Sequence, residues 1–194
     1  FDRNEIDFCA DGAKHGTPQI FPVHRSWPPH RGPYSGPVPL TLDVDDITTP
    51  GAQSLIFAAR DELDRRYGVG ADAEMPDSEL AAPGGLFVVA RLDSHLAGGV
   101  GVRTIVTPGS GIGEIKRLWV RPDLRRSGVA AALMAHVERA AADAGFVELY
   151  LETGPRQPEA QAFYARIGWT PVTAFPPGAH AYPDGIKFYR DLRL

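Results

Sequence analysis

A single cysteine, Cys9, excludes an intramolecular disulfide and any zinc site built on cysteines. No apolar run approaches the roughly 18 residues of a membrane-spanning helix, and Phe1 to Ser26 lacks the charged-then-apolar layout of a signal peptide. No Gly-x-x-x-x-Gly-Lys-Ser/Thr loop is present, which disfavours an ATP-binding protein. Charge of one sign is not in excess. A formal net charge of −4 does not indicate a broad nucleic-acid-binding face, although a local basic patch is compatible with it. We therefore expect a soluble, cytoplasmic protein with no metal, no membrane and no nucleic acid among its partners. The chain opens on Phe1 rather than methionine, so a trimmed start and an upstream segment remain open.

At 194 residues the chain is long enough for one domain with a substantial core, plus an extension. The extension is residues 1–39. It has no helical or strand period, and prolines stand at Pro18, Pro22, Pro28, Pro29, Pro33, Pro37 and Pro39. Its Phe8, Phe21, Trp27 and Tyr34 argue against a solvated linker. Such an arm needs a surface to cover, on this domain's own loops or on a neighbouring subunit, which would make a homodimer. His15, His24 and His30 are too widely spaced for a compact metal motif.

Residues 40–194 alternate between strand and helix patterns. Leu40 to Asp46 reads as a strand, and Thr49-Pro50 as the cap and first position of a helix that should end at Gly68. Leu55, Ile56, Ala59 and Leu63 are its buried face, while Arg60, Asp61, Asp64 and Arg65 read as solvated. Gly68 to Gly85 is loop-like with one short helical turn. Leu86 to Arg91 and Leu96 to Ile105 form a hairpin, where Gly98, Gly99 and Gly101 suggest a bulge or a close approach. Phe146 to Thr153 is a further strand. Gln157-Pro158 caps a short helix with Ala160, Phe163 and Ile167 inside and Tyr164 beside that face. Trp169 to Ala174 and Gly185 to Leu192 are the last strands.

The stretch that organises the chain runs from Gly113 to Ala132. It reads as strand, tight loop and helix. Strict alternation puts Ile115, Arg117 and Trp119 on one face of the strand, and Glu114, Lys116, Leu118 and Val120 on the other. Arg125 and Arg126 then bring positive charge, and Gly128 removes the Cβ that would keep a ligand from the backbone. Amides from Arg126 to Ala131 open a helix, where unpaired donors and the helix dipole favour an anion such as a pyrophosphate. Val129, Leu133 and Val137, widened by Ala130, Met134, Ala141 and Ala144, are the apolar stripe of that helix, which Gly145 ends. Strand, helix and strand make a crossover, so the strands ending near Val120 and Thr153 should be parallel.

Arg125-x-x-Gly128-x-Ala130 resembles the Arg/Gln-x-x-Gly-x-Gly/Ala signature of the GNAT N-acetyltransferases. Gln157-x-x-Ala160-x-x-x-Tyr164-x-x-x-Gly168-Trp169 is similar to that family's Asn-x-x-Ala-x-x-x-Tyr-x-x-x-Gly-Phe. The resemblance spans roughly Pro39 to the C-terminus. It implies an α/β fold, with a mixed, mostly antiparallel sheet of six to seven strands flanked by helices and a splayed parallel pair that receives the pantetheine arm of acetyl-CoA. It also implies cofactor contacts from Leu118, Trp119, Val120, Arg125, Arg126, Ser127, Gly128, Val129, Ala130, Ala131, Thr153, Gln157 and Tyr164. Two departures stand out: Gln157 replaces the commoner asparagine, which puts a direct pantetheine contact in doubt, and Arg126 and Ala130 stand where glycine is frequent.

Acyl transfer to an amine needs a base, an oxyanion donor and an acid for the leaving thiolate. The resemblance points to Glu114 as base and the Leu118 N–H as oxyanion donor. Tyr164, whose phenol can hand a proton to a thiolate, is the acid. The structural alternatives are a surface Glu114 paired with Lys116, and an amphipathic Tyr164 at a helix edge. The expected acceptor is a primary amine of a small molecule, with a protein lysine or N-terminus, or a non-catalytic acyl-CoA sensor, as alternatives. Gly68 to Gly85 is the expected acceptor-side loop.

Overall fold

The structure is a computed structural model that describes residues 39–68, 70 and 75–193. The expected arm, Trp27 included, lies outside the described residues apart from Pro39.

Among the described residues seven strands form one sheet in the order β1-β2-β3-β4-β5-β7-β6. β1 (Leu40–Asp45), β2 (Gly85–Leu92), β3 (His95–Thr104) and β4 (Ile112–Val120) are an antiparallel meander. β5 (Glu148–Thr153) lies parallel to β4, and β7 (Ile186–Asp191) separates β5 from β6 (Thr170–Val172). The β4–β5 ladder holds only from Ile112↔Glu148 to Ile115↔Leu151. Beyond it the two strands diverge, and that opening faces the loop that follows β4.

Helix α1 (Pro50–Tyr67) starts as its sequence dictates. The Thr49 hydroxyl accepts the Ala52 N–H at 3.2 Å, and Pro50 fills the first turn where its missing N–H costs nothing. Ala52, Leu55, Ile56 and Ala59 are buried on it, and Leu63 is half-buried. The expected helical turn in the following loop is a 3-10 turn at Asp77–Leu80. α2 (Val129–Asp143) buries Val129, Ala132, Leu133, Met134, Val137 and Ala141, but Ala144 falls past the last turn and is exposed. α3 is Pro158–Arg166. One core cluster, with Val88, Ile115, Leu133, Leu151, Tyr164 and Phe188, fills the sheet face under α2 and α3. A second, with Leu55, Ile56, Leu80 and Phe87, fills the face under α1.

Strict alternation fails along β4. Gly101 pairs with Lys116 but Gly99 pairs with Trp119, so Val100 alone opposes both Arg117 and Leu118. This is a β-bulge, and Arg117 takes φ 59° within it. The extra residue shifts the phase. Ile115, Leu118 and Val120 pack in the α2–α3 core, and Trp119 packs in the α1 core. The expected grouping of Ile115 with Trp119 is therefore corrected: the bulge inserts one residue between them. Gly98 of β3 lets the strand after the bulge come close, since a Cβ there would lie 2.5 Å from the Trp119 carbonyl oxygen, and Gly101 makes room for the 3-10 turn, since a Cβ there would lie 2.8 Å from Leu80 Cδ2.

Candidate active site

The loop after β4 turns through a 3-10 segment at Pro122–Leu124, with Leu124 fully buried as its anchor. Arg126 follows at φ 64° and Gly128 at φ 98°. The first intrahelical bond of α2 is Ala132 N–H to Gly128 C=O at 3.0 Å, so the amides that precede Ala132 point out of the helix start without an intrahelical acceptor. A Cβ built on Gly128 meets nothing within 4 Å. The loop thus presents backbone donors, the positive end of a 15-residue helix and open space to an anion. Ser127 donates to the Leu124 carbonyl at 2.6 Å and fixes the turn. The Val129 side chain is in the core, Ala130 is half-buried and Ala131 is exposed.

Arg125 is exposed but tied down. Its Nε donates to the Val120 carbonyl at 3.0 Å and its Nη2 to Glu62 on α1. Glu62 also accepts the Trp119 indole N–H at 3.0 Å and is ion-paired to Arg66 at 3.4 Å. Burial pushes the Glu62 carboxyl up, but the hydrogen bond and charge of Arg125, with Trp119 and Arg66, outweigh it and hold the group below its ordinary pKa. Sequence reasoning missed Glu62, because Trp119 and Arg125 lie about 60 residues away and no local pattern announces them.

On β5, Thr153 is buried, and its hydroxyl donates to Gln157 Oε1 at 3.2 Å. That oxygen also accepts the Gly154 N–H at 3.1 Å. Gln157 therefore ties the end of β5 to the start of α3. It does not cap α3 with its side chain, as expected from sequence, because the amide oxygen is turned back to the strand.

Glu114 is 1% exposed. Arg103 reaches its Oε2 through Nε at 2.9 Å and Nη2 at 2.8 Å, and Lys116 Nζ lies 3.3 Å from Oε1. Arg103 also binds Glu79 of the 3-10 turn. A cavity of about 170 Å³ opens here, lined by Met75, Arg103, Glu114, Lys116, Glu152, His180 and Tyr182. Arg103 and the last three were not foreseen. Glu152, His180 and Tyr182 come from β5 and from the loop between β6 and β7, which a local network holds in place: Glu152 accepts the Tyr182 N–H at 3.0 Å, and Lys187 donates to the Tyr182 and Gly185 carbonyls at 2.8 and 2.9 Å. Beside the cavity, Arg60 binds Asp77 at 2.7 Å rather than standing in solvent as expected. Burial and then the neighbouring Arg60 pull the Arg117 guanidinium down to about 10, against an opposing pull from Tyr182, and leave it charged at neutral pH.

Tyr164 stands elsewhere. It is the buried residue of α3, packed among Phe163, Phe188 and Trp169 at ring-centroid distances of 5.3, 5.7 and 6.3 Å. Phe163 and Ile167 are only half-buried, so the expected ranking of this helix face is reversed. Tyr164 belongs to the α2–α3 core, whereas Glu114 faces the cavity on the opposite side of the sheet. The two thus lie on opposite faces of the sheet and do not share one pocket. Among the described residues no group of three or more His, Cys, Asp or Glu could hold a metal ion, and no helix is long and apolar enough to cross a membrane.

Three comparisons agree with this architecture. The acetyltransferase (GNAT) family model matches residues 56–169. An IAA acetyltransferase of Azospirillum brasilense is 34% identical over 146 residues, which cover 73% of this chain and 92% of the relative. The fold is shared with a GNAT-family acetyltransferase of Staphylococcus aureus Mu50, 15% identical with a TM-score of 0.63, over 79% of this chain and 99% of that one. It is shared too with the PaiA N-acetyltransferase of Thermoplasma acidophilum, solved in complex with coenzyme A, which is 15% identical with a TM-score of 0.56 over 78% of this chain and 99% of that one. A family model matching more than half of the chain, on a sheet that opens between β4 and β5 beside a loop of outward amides at a helix start, identifies the chain as a member of the GNAT acetyltransferase family.

Proposed function

We propose that the chain transfers the acetyl group of acetyl-CoA to a primary amine of a small molecule. The observation that carries this reading is the Arg125–Ala131 loop, whose outward amides and unobstructed Gly128 suit a pyrophosphate at the mouth of the β4–β5 opening. Acetyl-CoA supplies an activated acetyl thioester. Leu118, Trp119 and Val120 border the pantetheine on one side and Thr153 on the other, with Gln157 acting through Thr153 and Gly154.

Glu114 takes the proton from the acceptor amine, directly or through one water. The Leu118 N–H, in the bulge where the β3–β4 ladder is interrupted, meets the oxyanion. Tyr164 returns a proton to the sulfur. Burial raises its pKa, which keeps the phenol protonated until a comparably desolvated thiolate appears beside it. The cavity of about 170 Å³ suits a small acceptor or a single side chain, and a protein lysine or N-terminus is the second acceptor class.

Thiol release from acetyl-CoA, measured against a library of amines and peptides, tests the reading. Acceleration by a small amine supports it, and acceleration by peptides alone moves the acceptor class. Tyr164→Phe should lower kcat by roughly 10–1000-fold with little change in cofactor affinity. Release that no acceptor accelerates, despite tight cofactor binding, would leave a non-catalytic sensor.

A further inference from the structure

The C-terminal two turns of α1 touch both lips of the β4–β5 opening. On the β4 side, Glu62 binds Arg125 and the Trp119 indole. On the β5 side, Arg66 Nη1 reaches Glu159 at 2.5 Å and the Arg156 carbonyl at 3.1 Å, and Arg156 Nη1 donates to the Arg66 carbonyl at 2.6 Å. Tyr67 completes the contact: its hydroxyl accepts the Arg156 N–H at 3.0 Å, and the Arg156 guanidinium lies 5.0 Å above its ring. Its phenol comes so close to the end of β5 that a Cβ on Gly154 would lie 2.1 Å from the hydroxyl oxygen. Glu62 and Arg66 are themselves paired at 3.4 Å, so the chain of contacts runs unbroken from one lip to the other.

β4 and β5 share no ladder bonds beyond Ile115 and Leu151. Each stays paired to its other neighbour, β4 to β3 and β5 to β7, but no ladder bond joins them directly at Trp119 and Gly154. The bridge from α1 spans that gap. We propose that Glu62, Arg66 and Tyr67 are positioning residues that set the width of the cofactor opening and the pose of Arg125, and so set acetyl-CoA affinity. The proposal rests on the cofactor reading above and acts through the lips rather than through contact with the acceptor. Glu62 is the keystone, because it alone binds Arg125, Trp119 and Arg66.

The test is calorimetric titration of acetyl-CoA into the wild type, Glu62→Gln, Tyr67→Leu and Gly128→Val, each checked for fold by circular dichroism. Glu62→Gln keeps the size and the acceptor for Trp119 while removing the charge that fixes Arg125. We expect Kd to rise about tenfold in Glu62→Gln and in Tyr67→Leu, with kcat at saturating acetyl-CoA within about threefold of wild type. We also expect the Glu62→Gln effect to shrink in an Arg125→Gln background, since the two act as one pair. A merely stabilising role would lower the melting temperature without moving Kd, and would overturn the proposal. Tighter binding in Glu62→Gln would overturn it too, by showing that Glu62 competes with the ligand for Arg125. Wild-type protein that bound no acetyl-CoA, or a folded Gly128→Val that bound it normally, would instead strike the cofactor reading itself.

Discussion

A phenol enclosed by Phe163, Trp169 and Phe188 has lost the hydration that would stabilise its phenolate, and burial pushes the Tyr164 pKa above its ordinary value near 10. The sign of the linkage follows. Above pH 10 the unfolded chain releases this proton and the folded chain keeps it, so the folded state binds more protons and stability falls as pH rises. Denaturant unfolding between pH 8 and 11 should show the wild type losing more stability than Tyr164→Phe. Parallel losses would mean that Tyr164 is solvated. The burial itself was not legible in sequence, because a nine-residue helix gives too few turns to rank Phe163 against Tyr164. The pattern located the helix and its tyrosine, and the partners across the core decided which ring went inside. Glu114 is a similar case: strand alternation paired it with Lys116, but Arg103 and Glu79 join it only once β3 and the 3-10 turn are folded alongside.

Element boundaries were most legible where local chemistry dictates them. Thr49-Pro50 is such a place, and the observed cap bond from Ala52 N–H to the Thr49 hydroxyl bears it out. Thr49→Ala should destabilise the protein by about 1 kcal/mol in denaturant unfolding, because one helix-start donor loses its partner. A change near zero would mean that water replaces the hydroxyl at no cost. The β4 bulge was half legible. Three glycines in β3 signalled a close approach, yet the strand across from them carries no mark of its own, and Arg117 at φ 59° breaks the usual preference against that region for a long side chain. Non-local partnerships were the least legible. The far end of α1 reads as an ordinary charged helix face, and only the folded chain brings Glu62 and Arg66 to loops about 60 and 90 residues away.

At the scale of the molecule, the strand–helix–strand crossover announced the parallel pair, and the meander before it announced the antiparallel half of the sheet. What positions the chemistry is the place where these halves meet. There the ladder between β4 and β5 stops after Ile115 and Leu151, the helix-start loop lies at one lip, Thr153 and Gln157 lie at the other, and a cavity of about 170 Å³ opens beside Glu114. The loop contributing His180 and Tyr182 carried no motif and became visible only as the fold closed over β5. The most direct measurement of the account is the affinity of acetyl-CoA for wild type and Gly128→Val. No protein atom lies within 4 Å of the added Cβ, but φ 98° disfavours any side chain there, so the variant alters the loop's backbone geometry as well as its open space. We predict measurable binding to the wild type and a loss of at least tenfold in Gly128→Val. Equal affinity in the folded variant would contradict the assignment of this loop as the cofactor cradle.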